Sequence, residues 1–301
     1  MCNHPTKPLL IKNGYPLTKC PNCDLVAMDP QPTPAILEEF YSPQTGYHAA
    51  YSDAFIARQR HEFTLRITEA LPLLSSARVR VLDIGAANGL FLDCAKEHGW
   101  QTEGVEMNSA NIPVCEQKGH RMTHGSFDDY TNTGESFNVV HMGDVIEHML
   151  DPREAVRKSA QLLSSGGLLI IATPDASAPF PKASLVIAKA LHLSWPHALP
   201  PAHTFQFSIN NLDTLLEQEG FAHVHSRFLS SGFMEEMRET EYFQTIYQYL
   251  KRRKGSLGRF LVHTALFCVS AVVYFPLWAV SVLLFAINRH GAHVTAWYVK
   301  R

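Results

Sequence analysis

The stretch from Val81 to Trp100 constrains this chain more than any other. Val79 to Ile84 is a mainly apolar, β-branched run, the pattern of a strand buried on both faces. Gly85 and Gly89 bracket a tight turn, and Leu90, Phe91, Ala95 and Lys96 begin a helical pattern that Gly99 stops. Strand, glycine turn and helix is how an open α/β sheet brings backbone N–H groups and a positive helix end to a ligand. Gln101 to Val105 then reads as a second strand ending in Glu106, 21 residues beyond Gly85. A carboxylate there suits a ribose diol. Glycines serving geometry alone would not require an acid at that place.

The glycine spacing separates the candidate nucleotides. A dinucleotide fingerprint reads G-x-G-x-x-G, whereas here the order is Asp83-x-Gly85-x-x-x-Gly89. That spacing resembles the first motif of class I S-adenosylmethionine (SAM) methyltransferases. NAD and SAM would both use Glu106, so only the spacing decides, and it favours SAM. The resemblance implies a Rossmann-like α/β fold with a seven-stranded sheet whose last strand is antiparallel. It also implies a cofactor site drawn from Asp83, Gly85, Ala86, Gly89, Glu106, Met107, Phe127 and Asp128. In the family an acid just after the third strand holds the adenine amino group. Ser126 occupies that place here, which leaves Asp128 or Asp129 as the substitute.

A second constellation follows the strand expected over Phe137 to Met142. Asp144, Glu147 and His148 stand at i, i+3 and i+4, so on a helical turn they share one face at the carboxyl edge of the sheet. Ubiquinone-pathway O-methyltransferases are similar at this turn, and that resemblance implies a divalent cation on these three residues. The alternative is that Glu147 and His148 only orient the loop. Residues 176–208 form a long connection carrying Trp195, His197 and His203, a length usual for a functional insert or lid. Pro201 to Ser208 is similar to the family's substrate-side loop. His148 and His203 are therefore the candidate general bases.

The ends carry their own signals. In residues 1–30, Cys20-x-x-Cys23 is spaced for zinc, and Cys2 and His4 could complete a tetrahedron. The segment resembles the N-terminal zinc ribbon of some sugar- and lipid-pathway methyltransferases, although its first pair is shortened to Cys2-Asn3-His4. A closed site of that kind is structural. Residues 31–78 read as a helical lid with an aromatic-rich stretch from Tyr41 to Tyr51, and 79–230 as the SAM-binding core. Residues 231–291 read as a helical, membrane-associating insert, and 292–301 as the final strand. Phe260 to Ile287 holds no Asp, Glu, Lys or Arg, more than the roughly 20 residues that span a bilayer. Lys251, Arg252, Arg253, Lys254 and Arg259 precede it and Arg289 follows, which suits an anionic cytoplasmic face. A single span would strand the last strand on the far side. With Pro276 near the middle, the expectation is two short helices in a shallow hairpin dipped into the cytoplasmic leaflet.

Composition closes off several classes. A net charge of −2 with 18% charged residues gives no basic surface for nucleic acid. Six cysteines follow no paired framework and no signal peptide opens the chain, so the expected compartment is reducing cytosol. The expected activity is SAM-dependent O-methylation of a small-molecule, glycan, lipid-linked or prenylated acceptor at a membrane surface. A membrane-tethered, non-catalytic nucleotide-binding scaffold is the alternative. NAD-dependent oxidoreduction is disfavoured by the missing G-x-G-x-x-G.

Overall fold

A computed structural model describes residues 4–41, 53–132, 134–238, 240–252 and 255–301. The aromatic stretch of the expected lid, from 42 to 51, and Cys2 lie outside the described residues.

The centre is a sheet that starts with β4 (Arg80–Ile84), β5 (Gln101–Glu106) and β6 (Arg121–His124), continues with β7 (Phe137–Gly143) and β8 (Leu163–Pro174), and closes with β10 (Phe221–Leu229) and β11 (His293–Lys300). Their spatial order is β6-β5-β4-β7-β8-β11-β10. The first five are mutually parallel, and β11 runs antiparallel between β8 and β10. The fold is therefore the expected Rossmann-like one with seven strands. The chain leaves β4 on one side for β5 and β6, then returns to its other side as β7. That reversal opens a crevice beyond the carboxyl ends of β4 and β7, the place where open α/β sheets bind ligands.

The near-continuous apolar strands follow from burial on both faces. Leu82, Val140, Leu169 and Ile171 point to one layer, joined by Val156 of α5 (Pro152–Leu162) and Leu212 and Leu216 of α7 (Ile209–Gln218). Val81, Val139, Leu168 and Ile170 alternate to the other, against Ile67 of α2 (Asp53–Ala70) and Phe91 of α3 (Leu90–Glu97). Burying one such side chain stabilises the fold by about 1.5–3 kcal/mol.

A second sheet joins β1 (Lys7–Lys12), β2 (Tyr15–Lys19) and β3 (Val26–Met28) to β9 (Phe205–Gln206). β9 belongs to the loop that ends the 176–208 connection, so the N-terminal ribbon is stitched to the substrate side. The amide of Met28 donates to the Thr204 carbonyl at 2.9 Å, and the buried Lys12 ammonium donates to the Trp195 and Ala198 carbonyls. The connection itself contains a helix, α6 (Pro179–Leu191).

The expected hairpin is corrected. Residues 257–288 form one helix, here α10 (Leu257–Asn288), unbroken through Pro276. It packs against α6 and against α8 (Phe233–Arg238) and α9 (Glu241–Arg252). Pro276 faces outwards, while Tyr274 and Trp278 hydrogen-bond to the Ser194 and Ser231 carbonyls. Contacts on both sides of the proline hold the two halves in line, so the lost backbone bond does not end the helix.

Candidate functional site

The glycine turn is built by its neighbours. Gly85 (φ +71°) and Gly89 (φ +78°) lie in the left-handed region, where a side chain strains the backbone. A Cβ on Gly85 would also come within 2.7 Å of Val145, and one on Gly89 within 2.9 Å of the Cys115 sulfur. The Gly85 and Ala86 amides both donate to the Val105 carbonyl, which fixes the turn to the end of β5. The Glu106 carboxylate accepts from the Ala87 amide through one oxygen and from the Asn108 amide through the other, both at 2.7 Å. The acid is buried, and each oxygen keeps a further lone pair. Met107 is exposed beside it.

Asp83 is held from below. His141 of β7 donates from Nδ1 to an Asp83 oxygen at 2.7 Å, and its Nε2 accepts from the Arg66 guanidinium at 3.1 Å. Burial keeps the imidazole below its ordinary pKa, so it is neutral, and Arg66, which can only donate, fixes the tautomer. Phe91 stacks on the ring at 3.7 Å between centroids. Neither His141 nor Arg66 was among the expected site residues. The available signal was a histidine inside the otherwise apolar stretch Val139–Met142.

At the expected adenine end, the Phe127 ring is buried in the core. Lys158 donates to the carbonyls of Phe127 and Asp128 at 2.7 Å, and the Asp128 side chain is exposed at the rim.

At the carboxyl end of β7 the expected trio separates. Asp144 takes φ +56° before a single 3₁₀ turn, Ile146–His148, so it does not share a helical face with Glu147 and His148. Its carboxylate pairs instead with His293 at 2.6 Å. Glu147 and His148 converge with His203, their donor atoms lying within 4.8 Å of one another. The two expected bases thus meet, with ring centroids 4.7 Å apart. Thr204 brings them together: its amide and hydroxyl both donate to the Glu147 carbonyl, and its hydroxyl also reaches the Met149 carbonyl.

The electrostatics of this cluster are unusual. Glu147 accepts from the Thr173 hydroxyl through Oε2 at 2.9 Å, while its buried Oε1 has no hydrogen-bond partner. Burial, then the nearby Asp144 carboxylate, pushes the Glu147 carboxyl well above the usual range. Desolvation, then His148 and His197, holds His203 well below its ordinary value, and its Nδ1 is also unpartnered. His148 donates from Nδ1 to the Ala202 carbonyl at 3.0 Å, which leaves Nε2 as the acceptor, 3.8 Å from Glu147. A carboxyl and two imidazoles that converge in this way can take a proton from a hydroxyl or ligate a cation.

At the ribbon, Cys20 is buried and Cys23 half-buried, and the Asn22 amide points at the Cys20 sulfur at 3.4 Å. His4 is exposed.

A sequence profile described as a methyltransferase domain matches residues 56–226, more than half of the chain and the whole of the crevice. The chain belongs to the methyltransferase-domain family. That places it among the SAM-dependent methyltransferases, in agreement with the glycine spacing. The ubiquinone biosynthesis O-methyltransferase of Ruegeria sp. is 31% identical over 154 residues, covering 48% of this chain and 60% of that protein. The enzyme of the same description from Cereibacter sphaeroides is 34% identical over 120 residues, covering 37% and 47%. The methyltransferase chain thus spans about half the length of the curated relatives it matches. Among solved structures, the YcgJ protein of Bacillus subtilis superposes with a TM-score of 0.51 at 18% identity, covering 80% of this chain and 98% of that one. A SAM-dependent methyltransferase from Thermotoga maritima, described as a possible histamine N-methyltransferase, gives 0.50 at 17% identity, covering 89% and 99%. At such identities these two neighbours speak for the fold alone.

Proposed function

We propose that the methyltransferase methylates a hydroxyl of a small, lipid-like acceptor, with His148 as the proton acceptor. The observation that carries this reading is the convergence of Glu147, His148 and His203 at the carboxyl edge of β7, beside the glycine turn. SAM supplies a methyl group already activated on a sulfonium carbon. The chain's own task is alignment, exclusion of water and removal of one proton. Gly85 to Gly89 and Glu106 hold the cofactor, with Asp83 kept in place by His141. The Ala202 carbonyl fixes the His148 tautomer so that Nε2 faces the acceptor side, and a positioned base contributes about 10²–10⁴-fold. His203 and the neutral Glu147 shape the space in which the hydroxyl sits. The two O-methyltransferase relatives support oxygen as the acceptor atom and a lipid-like carrier. A sugar hydroxyl on a lipid-linked precursor stays within the same class.

The unpartnered Glu147 Oε1 and His203 Nδ1 also fit a divalent cation held with His148, which would make an acceptor hydroxyl more acidic. In the ribbon, the N–H aimed at the Cys20 sulfur fits a zinc knuckle on Cys20 and Cys23, with Cys2 and His4 as the completing pair. Turnover of prenylated catechols, plain catechols and lipid-linked sugars, assayed with radiolabelled SAM, tests the acceptor class. Chelation followed by return of magnesium, manganese or zinc tests the cation. Isothermal titration with SAM and S-adenosylhomocysteine tests the cofactor. Binding to neither would overturn the reading, and turnover untouched by chelation would remove the cation from it.

A further inference from the structure

Helix α10 lies beyond residue 226, where the match to the family ends. Its outer side is a continuous apolar stripe. Leu261, Val272, Val280, Leu283 and Ile287 are each more than half exposed, Val272 at 75% and Ile287 at 81%. Their spacing keeps them on one side of the helix, and at 1.5 Å per residue the stripe runs about 40 Å. A bare apolar surface of that length marks an interaction site.

We propose that α10 lies flat on an anionic lipid surface, with this stripe as the docking face. The inner side of the helix excludes a transmembrane crossing. Ser270 and Tyr274, at its midpoint, are completely buried against the protein. The Tyr274 hydroxyl donates to the Ser194 carbonyl at 3.1 Å, the Trp278 indole donates to the Ser231 carbonyl at 2.8 Å, and Phe233 packs edge-on against Phe275. A helix crossing a bilayer would place this midpoint deepest in hydrocarbon, where the rest of the protein cannot follow. Both ends are fastened as well, by the stack of Tyr249 on Phe260 at one and by β11 in the sheet at the other.

Charge selects the occupant. No Asp or Glu occurs after Glu241, while Lys251, Arg252, Arg253, Lys254 and Arg259 stand before the stripe and Arg289 after it. A second copy laid along the stripe in either direction would bring like charges together at both ends. Anionic headgroups would neutralise them while the aliphatic side chains sink into the acyl boundary. The docking stands on α10 alone. Its consequence for catalysis rests on the methyl-transfer reading. His290 and His293, directly after the helix, pair with Asp175 at 2.9 Å and Asp144 at 2.6 Å at the carboxyl edge of β8 and β7. A docked α10 therefore presents the acceptor side of the crevice to the lipid.

Flotation of the full chain with vesicles tests this. The wild type should rise with phosphatidylglycerol–phosphatidylcholine vesicles and rise less with phosphatidylcholine alone. A Val272→Asp/Leu283→Asp variant should bind the anionic vesicles about a hundredfold or more weakly, since each of the two charges costs at least a tenfold factor, ~1.4 kcal/mol, in an apolar setting. Ile11→Asp, at an equally exposed apolar position on β1, should float like the wild type. SAM titration of the double variant reports whether its fold survives. Depth decides orientation and does not depend on that variant. Fluorophores on Leu261→Cys, Val272→Cys and Leu283→Cys, in a Cys268→Ser background, should be quenched equally by lipids labelled at one depth. A maximum at 272 would indicate a crossing and overturn the flat arrangement. A wild type that ignores both vesicles, or a double variant that floats normally, would overturn lipid docking. A dimer dispersed by the double variant would assign the stripe to a second copy.

Discussion

The two halves of the crevice are built on opposite plans. Around the glycine turn and Glu106, where we place the cofactor, the polar groups are already satisfied. Both Glu106 oxygens, the Gly85 and Ala86 amides and the Asp83–His141 pair all have partners. Arg66 Nε is the exception. On the acceptor half, Glu147 Oε1, His203 Nδ1 and His197 Nε2 are buried without a partner. Leaving such a group unsatisfied costs about 1–3 kcal/mol. A half that receives one fixed cofactor can be completed in advance. A half that awaits an acceptor, or a cation, keeps its polar atoms open for it.

The largest expected effect lies on the open half. His148→Ala removes the proposed proton acceptor and should lower turnover about 10²–10⁴-fold, while SAM affinity by calorimetry stays within a factor of two or three. A variant with normal turnover would move the base to His203 or leave the reaction to alignment alone. If SAM affinity fell in parallel, the two halves would not be independent and the contrast between them would collapse.

The closed half should respond in binding. Gly85→Val forces a β-branched residue to positive φ and against Val145, and Glu106→Ala orphans two amides along with any ribose hydroxyl. Each should weaken SAM by about 1–3 kcal/mol, roughly 5- to 150-fold. Wild-type affinity in either would place the cofactor elsewhere. For Gly85 the sequence offered a tight turn, whereas the structure adds the positive φ and the collision with Val145.

That difference shows how much was legible. The placement of Asp83, Gly85, Gly89 and Glu106 around one turn was readable because it depends on backbone geometry at fixed spacing, and the strands because burial on both faces makes them apolar throughout. The Glu147–His148–His203 cluster was only half readable. Its members are 55 residues apart, and the positive φ at Asp144 diverts the acid that spacing alone would have chosen. His141 and Arg66 were invisible as a pair because nothing local links a strand to the helix before the sheet. In α10 the proline was legible but its consequence was not, since packing on both sides of Pro276 decided it.

Acid titration probes one histidine on each half. Burial depresses His141 on the cofactor side, and on the acceptor side it lowers His197 to about 4. The unfolded chain protonates both near 6.5. Stability is therefore complete above that pH and declines below it, because the unfolded state takes up protons that the fold refuses. The decline from His197 should end near pH 4. Each histidine contributes a slope of up to about 1.4 kcal/mol per pH unit, measurable by urea unfolding between pH 7 and 5. His197→Gln should flatten the acid side of that curve. An unchanged slope would mean that the ring is protonated in the fold, with a partner supplied on the acceptor side.

Thr173→Val should have the smallest effect. The Thr173 hydroxyl donates to Glu147 Oε2 at 2.9 Å, and valine keeps its shape. Glu147 is already biased towards its neutral form by burial and by Asp144, so the lost bond is an ordinary one. The expected cost is about 0.5–1.5 kcal/mol in denaturant unfolding. The direction of a second change is more informative. The Thr173 hydroxyl favours the ionised carboxylate, so its removal should raise the Glu147 pKa further and shift the corresponding limb of the pH–rate profile to higher pH. SAM affinity should not move, because no cofactor-side group touches this bond. A loss well above 3 kcal/mol would mean that Glu147 is charged in the fold and depends on the hydroxyl, so that the acceptor half, like the cofactor half, is completed before any ligand arrives.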